Sequence, residues 1–254
     1  MLAQQRYEKI MSKIEQNGSV TVNEIARELS VSIETVRRDF VLLETHGKLK
    51  RVFGGAVASD RPNQLRSLER RLDSNIENKL ELSRYAASFI DEGDTIAIDS
   101  GSTAIELANV LKSTFSDLTI ITCSNTVFNI LKEKFKVVLV GGEYVGADDC
   151  LGGSLTESFL KIFHFTKAFI SPSAISVKNG LETFLAETMA LQRILISNSE
   201  KTFVLADSEK FTSRATYKMC DLDPEFIYVT DSRVSEETKA EFAENGFLLV
   251  YEEQ

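Results

Sequence analysis

The sequence predicts an α/β protein in two unequal parts: a small helical domain ending in a β-hairpin, then a larger domain built on a mostly parallel sheet. Three observations carry that prediction. The first sixty residues hold three amphipathic helical patterns separated by very short turns. From Gly93 onward, short β-branched runs alternate with helical patterns, the signature of parallel strands joined by crossover helices. Charge also changes sign along the chain. Residues 1–61 carry ten Lys and Arg against eight Asp and Glu, a balance of +2, whereas the remainder of a chain with net charge −9 is left at −11. The boundaries read as a first domain over 1–57, a linker over 58–75 and a second domain over 76–254.

Composition narrows the function classes. Hydrophobic residues at 43% and charged ones at 26% suit a globular protein. No apolar stretch approaches the ~20 residues needed to span a bilayer. The opening MLAQQRYEKIMSKIE lacks a signal peptide's continuous apolar core, so the reading is a cytoplasmic chain without a membrane partner. Cys123, Cys150 and Cys220 lie far apart with no C-x-x-C pair, which argues against a disulfide framework and a cysteine zinc site. With His46 and His164 as the only histidines, triad or histidine–metal chemistry is poorly supplied. No metal and no cofactor are expected.

In the first domain, Tyr7, Ile10, Met11 and Ile14 recur at helical spacing, and Asn17-Gly18 ends that helix. Thr21 caps a second helix, with Glu24 three residues on as a capping box and Val22, Ile25, Ala26 and Leu29 as its stripe. Ser32 caps a third, whose inner stripe is Ile33, Val36, Phe40 and Leu43. The short gap between helices two and three fits a helix-turn-helix. A 100° step then places Arg38 almost opposite the core, with Glu34 and Thr35 outward and Arg37 on the flank. Arginines and a threonine near the start of such a helix can reach phosphates and base edges in a major groove. After Gly47, the run Lys48–Gly55 reads as a short basic hairpin, a wing with Lys50 and Arg51 available for the DNA backbone. A small bundle with a solvated basic face is the plain alternative for one such helix alone. The candidate DNA-binding residues are therefore Ser32, Thr35, Arg37, Arg38, Lys50, Arg51, Gly54 and Gly55.

The run from Ser19 through Val57, with Val31 to Asp39 and Gly54-Gly55-Ala56 as its most specific segments, resembles the DeoR family of bacterial regulators.

Residues 58–75 are polar and charge-rich with few apolar anchors, a linker running into a helix that continues to Ile90. Candidate strands follow at Thr95–Ile98, Leu118–Thr122, Lys136–Val140, Lys167–Ile170, Thr202–Ala206, Phe226–Thr230 and Leu248–Val250. In parallel sheets, ligands bind beyond the carboxyl ends of the strands. After the first strand stand Asp99, Ser100, Gly101, Ser102 and Thr103, opening into a helix whose start can hold a phosphate. Thr122, Ser124 and Asn125 follow the second, and Gly141-Gly142 and Gly152-Gly153 come later. Asp207 and Lys210 add a carboxylate and an ammonium. Each loop alone is equally an ordinary cap or turn. Together they suggest a small, polyhydroxylated, anionic ligand. No G-x-G-x-x-G or P-loop pattern competes, and His164, within an apolar run, reads as a partly buried, hydrogen-bonded residue.

GDTIAIDSGST, TCSN, GGEY, LGGSLTE, KAFIS and LADSEKF resemble the DeoR-family effector domain, and residues 186–199 look like its lactose and hexitol branch. Cys123, Pro172, Ala174 and Gly153 depart from the usual pattern. The resemblance implies a fold similar to ribose-5-phosphate isomerase and the coenzyme A transferases, with Gly101-Ser102-Thr103 similar to the isomerases' phosphate loop. Their catalytic acids have no counterpart in Ile170–Ile175, which implies binding without turnover. The expected function is thus a DNA-binding regulator, a repressor of sugar-metabolism genes responding to a phosphorylated sugar, with a double-stranded operator as partner and a homodimer or homotetramer as its state. The alternatives are a sugar-phosphate isomerase-like enzyme with an accessory DNA-binding domain, and a module that binds protein.

Overall fold

The computed structural model describes residues 3–45, 48–58 and 65–252, so His46, Gly47 and the 59–64 part of the expected linker lie outside the described residues. The chain divides into two compact units, Met1–Gln64 and Leu65–Gln254.

In the first unit, α1 (Ala3–Asn17), α2 (Val22–Glu28) and α3 (Ile33–Thr45) pack around Ile10, Ile14, Ile25, Val36, Phe40 and Leu43. Three strands complete it: β1 (Ser19–Thr21), β2 (Leu49–Val52) and β3 (Gly55–Ala58), in the order β1-β3-β2, all antiparallel. Gly18 at φ +72 ends α1, its N–H donating to the Ile14 carbonyl. Thr21 Oγ1 accepts from Glu24 N at 3.1 Å, but the Glu24 carboxylate turns to Lys13 and does not close the capping box. Ile33 departs from its expected inward position: it is 44% exposed because, as the first residue of α3, it extends past the end of the core. A Cβ on Gly55 would stand 2.2 Å from the Val20 carbonyl, so only glycine lets β3 approach β1.

The second unit opens on α4 (Leu68–Asp73) and α5 (Ile76–Ala87), separated by Asn75 at φ +51. Within the linker expected over 58–75, Leu68–Asp73 is helical, anchored by Leu68 on the core and by Arg71. The helix expected to reach Ile90 ends at Ala87.

The chain then alternates through β4 (Thr95–Ile98), α6 (Ser102–Thr114), β5 (Thr119–Thr122), α7 (Asn125–Leu131) and β6 (Lys136–Leu139). A hairpin, β7 (Glu143–Val145) and β8 (Cys150–Gly152), leads to α8 (Ser154–Leu160) and β9 (Phe165–Ile170). There follow β10 (Ala174–Ser176), β11 (Gly180–Thr183), α9 (Ala186–Ser197), β12 (Ser199–Leu205), β13 (Tyr217–Cys220), β14 (Ile227–Val229), α10 (Glu236–Glu244) and β15 (Leu248–Val250). All seven expected strands are present and form one parallel sheet in the order β15-β14-β12-β9-β4-β5-β6. The antiparallel β7-β8 pair and the β10-β11-β13 sheet are additions to that expectation.

Alternation along the strands explains the three layers. Ile96, Ile98, Phe169 and Phe203 enter a core with Leu82, Leu107 and Leu131 from α5, α6 and α7. Ala97, Ala168, Ile170 and Val204 enter the opposite core with Leu191 and Leu195 of α9 and Phe242 of α10. Strands buried on both faces read as continuous apolar runs. From β4 the chain proceeds to β5 and β6 on one side, then returns to β9 on the other, so the order reverses between β4 and β9. That is where an open parallel sheet leaves a crevice beyond its strand ends.

Candidate functional site

On α3 of the first unit, Ser32 caps the start: its Oγ accepts from Thr35 N at 3.1 Å and lies 2.8 Å from Thr35 Oγ1. The Arg38 side chain is 81% exposed and that of Arg37 65%, each only loosely near Glu34 at 3.9–4.0 Å. These two are free to turn to a polyanion. Arg51 differs from its expected availability, because Glu44 accepts from both its backbone N (2.9 Å) and its Nε (2.6 Å). Lys50 is exposed, and Gly54 at φ +78 forms the exposed tip between β2 and β3. Gly55 is buried, and its role is the close approach of β3 to β1. Sequence reasoning missed Asp39, which is buried on α3 and gripped by Arg6 of α1 through Nε (2.7 Å) and Nη2 (2.9 Å). That bidentate pair fixes α3 against α1.

In the second unit, α6 begins at the mouth of the crevice. Gly101, at φ +95, supplies no side-chain cap, so the first N–H groups of a thirteen-residue helix keep no partner from the residue before them. Three cations converge there from three segments. Lys210, in the turn after β12, donates to Thr103 Oγ1 at 3.2 Å. Arg71 of α4 lies beside Gly101, 3.4 Å from where a Cβ would stand, and bonds the Ala147 carbonyl at 2.8 Å and the Asp148 carboxylate. Lys79 of α5 is buried and donates to the Arg71 and Ser74 carbonyls. Burial first, then the charges of Lys210 and Arg71, bring the Lys79 ammonium down to about 8, with Asp207 opposing. Burial also lowers Lys210, opposed by Asp207 and reinforced by Arg71. Crowded, desolvated cations at a helix N-terminus are suited to an anion.

Asp99 ends β4. It is buried, and its oxygens accept from Ser100 N (2.7 Å), from Ser171 N after β9 (2.9 Å) and from Gln192 Nε2 of α9 (2.7 Å). Burial pushes its carboxyl up to about 6 against those three donors. The other expected ligands divide. Ser102 and Thr103 are buried at the start of α6, beside the three cations. Asp207 caps the turn bearing Lys210, accepting from Glu209 N (3.2 Å) and Asn75 Nδ2 (3.4 Å), so it positions that lysine. Thr122 Oγ1 accepts from Ser124 N, and Ser124 Oγ from Val127 N, as local caps. Asn125 joins Asp149, whose carboxylate also takes Thr126 and Tyr144.

Gly142 and Gly152 serve close packing: a Cβ on Gly142 would meet Thr156 Oγ1 at 1.8 Å and the Gly152 carbonyl at 2.5 Å. Gly153, at φ +91, opens α8, and Gly141 offers its carbonyl to Thr156 Oγ1 at 2.9 Å. His164 is exposed, not partly buried as expected, because β9 starts only at Phe165 and the turn before it faces outward. Arg71, Lys79 and Asp148 escaped sequence reasoning. For Lys79 there was a signal: it shares the i, i+3, i+4, i+7 stripe of Leu82, Ser83 and Ala86, an ammonium on a buried face.

A helix-turn-helix unit joined to an α/β unit with a basic crevice defines a ligand-responsive transcription regulator. The chain belongs to the DeoR family: residues 6–61 match the DeoR-like helix-turn-helix domain and residues 74–232 the DeoR C terminal sensor domain. It is 33% identical to the lactose phosphotransferase system repressor of Lactococcus lactis subsp. lactis, over 98% of this chain and 99% of that protein. It is 30% identical to the HTH-type transcriptional regulator GolR of Listeria innocua, over 95% and 96%, and 29% identical to the HTH-type transcriptional repressor GlcR of Bacillus subtilis, over 100% and 98%. Among solved structures, ribose 5-phosphate isomerase A from Methanocaldococcus jannaschii aligns over 54% of this chain and 55% of that one, with 18% identity and a TM-score of 0.39. Among the described residues, no helix is long and apolar enough to cross a membrane.

Proposed function

We propose that the chain is a cytoplasmic repressor of sugar-metabolism genes, a homodimer or homotetramer, whose operator affinity changes when a phosphorylated sugar occupies the crevice. The observation that carries this reading is the convergence of Arg71, Lys79 and Lys210 on the start of α6. The phosphate would take the N–H groups of Ser102, Thr103 and Ala104, with Lys210 and Arg71 as charged partners. On the DNA side, Thr35, Arg37 and Arg38 would enter the groove, with Ser32, Lys50 and Gly54 along the backbone. An effector acts on the operator only through its different affinity for the two states of the protein.

Asp99 is the observation that favours turnover, since a carboxyl near 6 is suited to proton transfer. Against it, both oxygens are already engaged by three donors. A thermal-shift series with inorganic phosphate and with pentose and hexose phosphates, run beside an isomerase assay, tests both readings. Binding should raise the Tm by mass action, Lys210→Met should need more ligand for the same rise, and no sugar phosphate should be interconverted. Absence of any shift would contradict the sensing role, and Asp99-dependent turnover would favour the enzyme.

A further inference from the structure

The crevice between the ends of β4 and β9 holds two buried polar atoms without partners: Gln192 Oε1 and Ser171 Oγ. Such atoms cost free energy unless something fills them. Both residues reach the same carboxylate. Gln192 Nε2 and Ser171 N donate to one oxygen of Asp99, and Ser100 N of the seat loop donates to the other. A carboxylate only accepts, so the Gln192 amide must turn its nitrogen to Asp99 and its carbonyl oxygen away from it. Gln192 is 3% exposed and is carried by α9, whose Leu191 and Leu195 are fixed in the core. The side chain therefore has little freedom to seek another partner.

We propose that Gln192 and Ser171 form a hydroxyl-reading subsite, in which a hydroxyl on the carbon chain of a phosphorylated polyol or sugar donates to Gln192 Oε1 and pairs with Ser171 Oγ. This rests on the phosphate seat proposed above, which would hold the other end of the same ligand. Asp99 ties the two ends together, one oxygen on the seat loop and the other on the subsite. The pair selects ligands because an analogue lacking the hydroxyl leaves buried polar groups unpaired. Phosphate recognition and carbon-chain recognition are thereby assigned to different residues.

Titration calorimetry on the full chain with inorganic phosphate and with a panel of hexose and pentose phosphates, including deoxy analogues, separates the two. The variants are Gln192→Met, close in volume and without polar atoms, and Ser171→Ala, which removes only an unpartnered hydroxyl. Each should lower affinity for the preferred sugar phosphate about tenfold or more, leave the Kd for inorganic phosphate unchanged, and erase discrimination against one deoxy analogue. Unchanged sugar-phosphate affinity in Ser171→Ala and in a Gln192→Met variant that melts like wild type would overturn the subsite while leaving the seat intact. Failure of wild type to bind inorganic phosphate or any sugar phosphate would overturn both.

Discussion

Lys210 Nζ stands 3.2 Å from Thr103 Oγ1, although 107 positions separate the two residues. The parallel sheet makes that meeting possible, since the turn after β12 and the start of α6 both open at the carboxyl ends of their strands. With Arg71 and Lys79 close by, the cations raise one another's cost, and an anion between them relieves it.

That relief should be visible as proton uptake. Lys79 sits at about 8 without ligand, against an ordinary 10.5. A phosphate dianion favours the charged ammonium and moves the value upward. At pH 8 roughly half of the Lys79 side chains are neutral beforehand, so binding should take up as much as about half a proton. The phosphate of a sugar ester has already lost its second proton at that pH. Calorimetry in buffers of different ionisation enthalpy measures the uptake. It should shrink toward pH 6.5 and be smaller in Lys79→Met, where Lys210, also lowered by burial, is the remaining acceptor; its absence from wild type at pH 8 would remove Lys79 from the seat.

Asp99 sets a pH dependence of stability. Its folded value of about 6 lies above the ordinary 3.8, so the folded state holds this proton more tightly than the unfolded chain. The contribution is complete below about pH 4 and is lost as pH rises through 6, a change of about 3 kcal/mol at most. Urea unfolding from pH 4 to 7.5 should show wild type losing stability relative to Asp99→Asn across that window. Parallel curves for the two proteins would mean that Asp99 is not strained by burial.

The two faces of α3 separate folding from DNA contact. Arg38→Ala should leave the Tm unchanged, because the side chain is 81% exposed, and weaken binding to a selected DNA duplex by about 1–3 kcal/mol. Phe40→Ala, at 1% exposure, should instead destabilise the first unit by about 3–5 kcal/mol. Gel shifts and circular dichroism on both variants check the pair. An Arg38→Ala protein with wild-type DNA affinity would take that arginine out of the groove.

Much of the fold was legible because its signals are local. The strands are short apolar runs bounded by turn residues, and Ser32, Thr21 and Gly18 mark helix ends where their chemistry requires. The two small antiparallel sheets escaped because β7 and β13 are mostly exposed, so neither shows the apolar run of a strand buried on both faces. Half of the candidate site was legible: Gly101 to Thr103 and Lys210 lie where strand ends were expected. Arg71 was not, because the charges of RSLERRLDSN resemble a solvated linker, and only folding brings it to Gly101 and Asp148. The packing role of Gly142 was not legible, because Thr156 and the Gly152 carbonyl come against it only in the fold.

We propose that occupancy of the cation seat is what changes DNA affinity. The direct measurement uses a fluorescent duplex selected by the wild-type chain from a random pool. It is bound by wild type or by Lys210→Met and titrated with the sugar phosphate that most raises the Tm. Without ligand, the two proteins should bind the duplex with equal affinity, since every candidate DNA-binding residue lies in the other unit. With ligand, wild type should release it, and the variant should need a concentration higher by a factor of roughly 10 to 150, the loss of about 1.5–3 kcal/mol from one charged hydrogen bond. Release of both at the same concentration would contradict the claim.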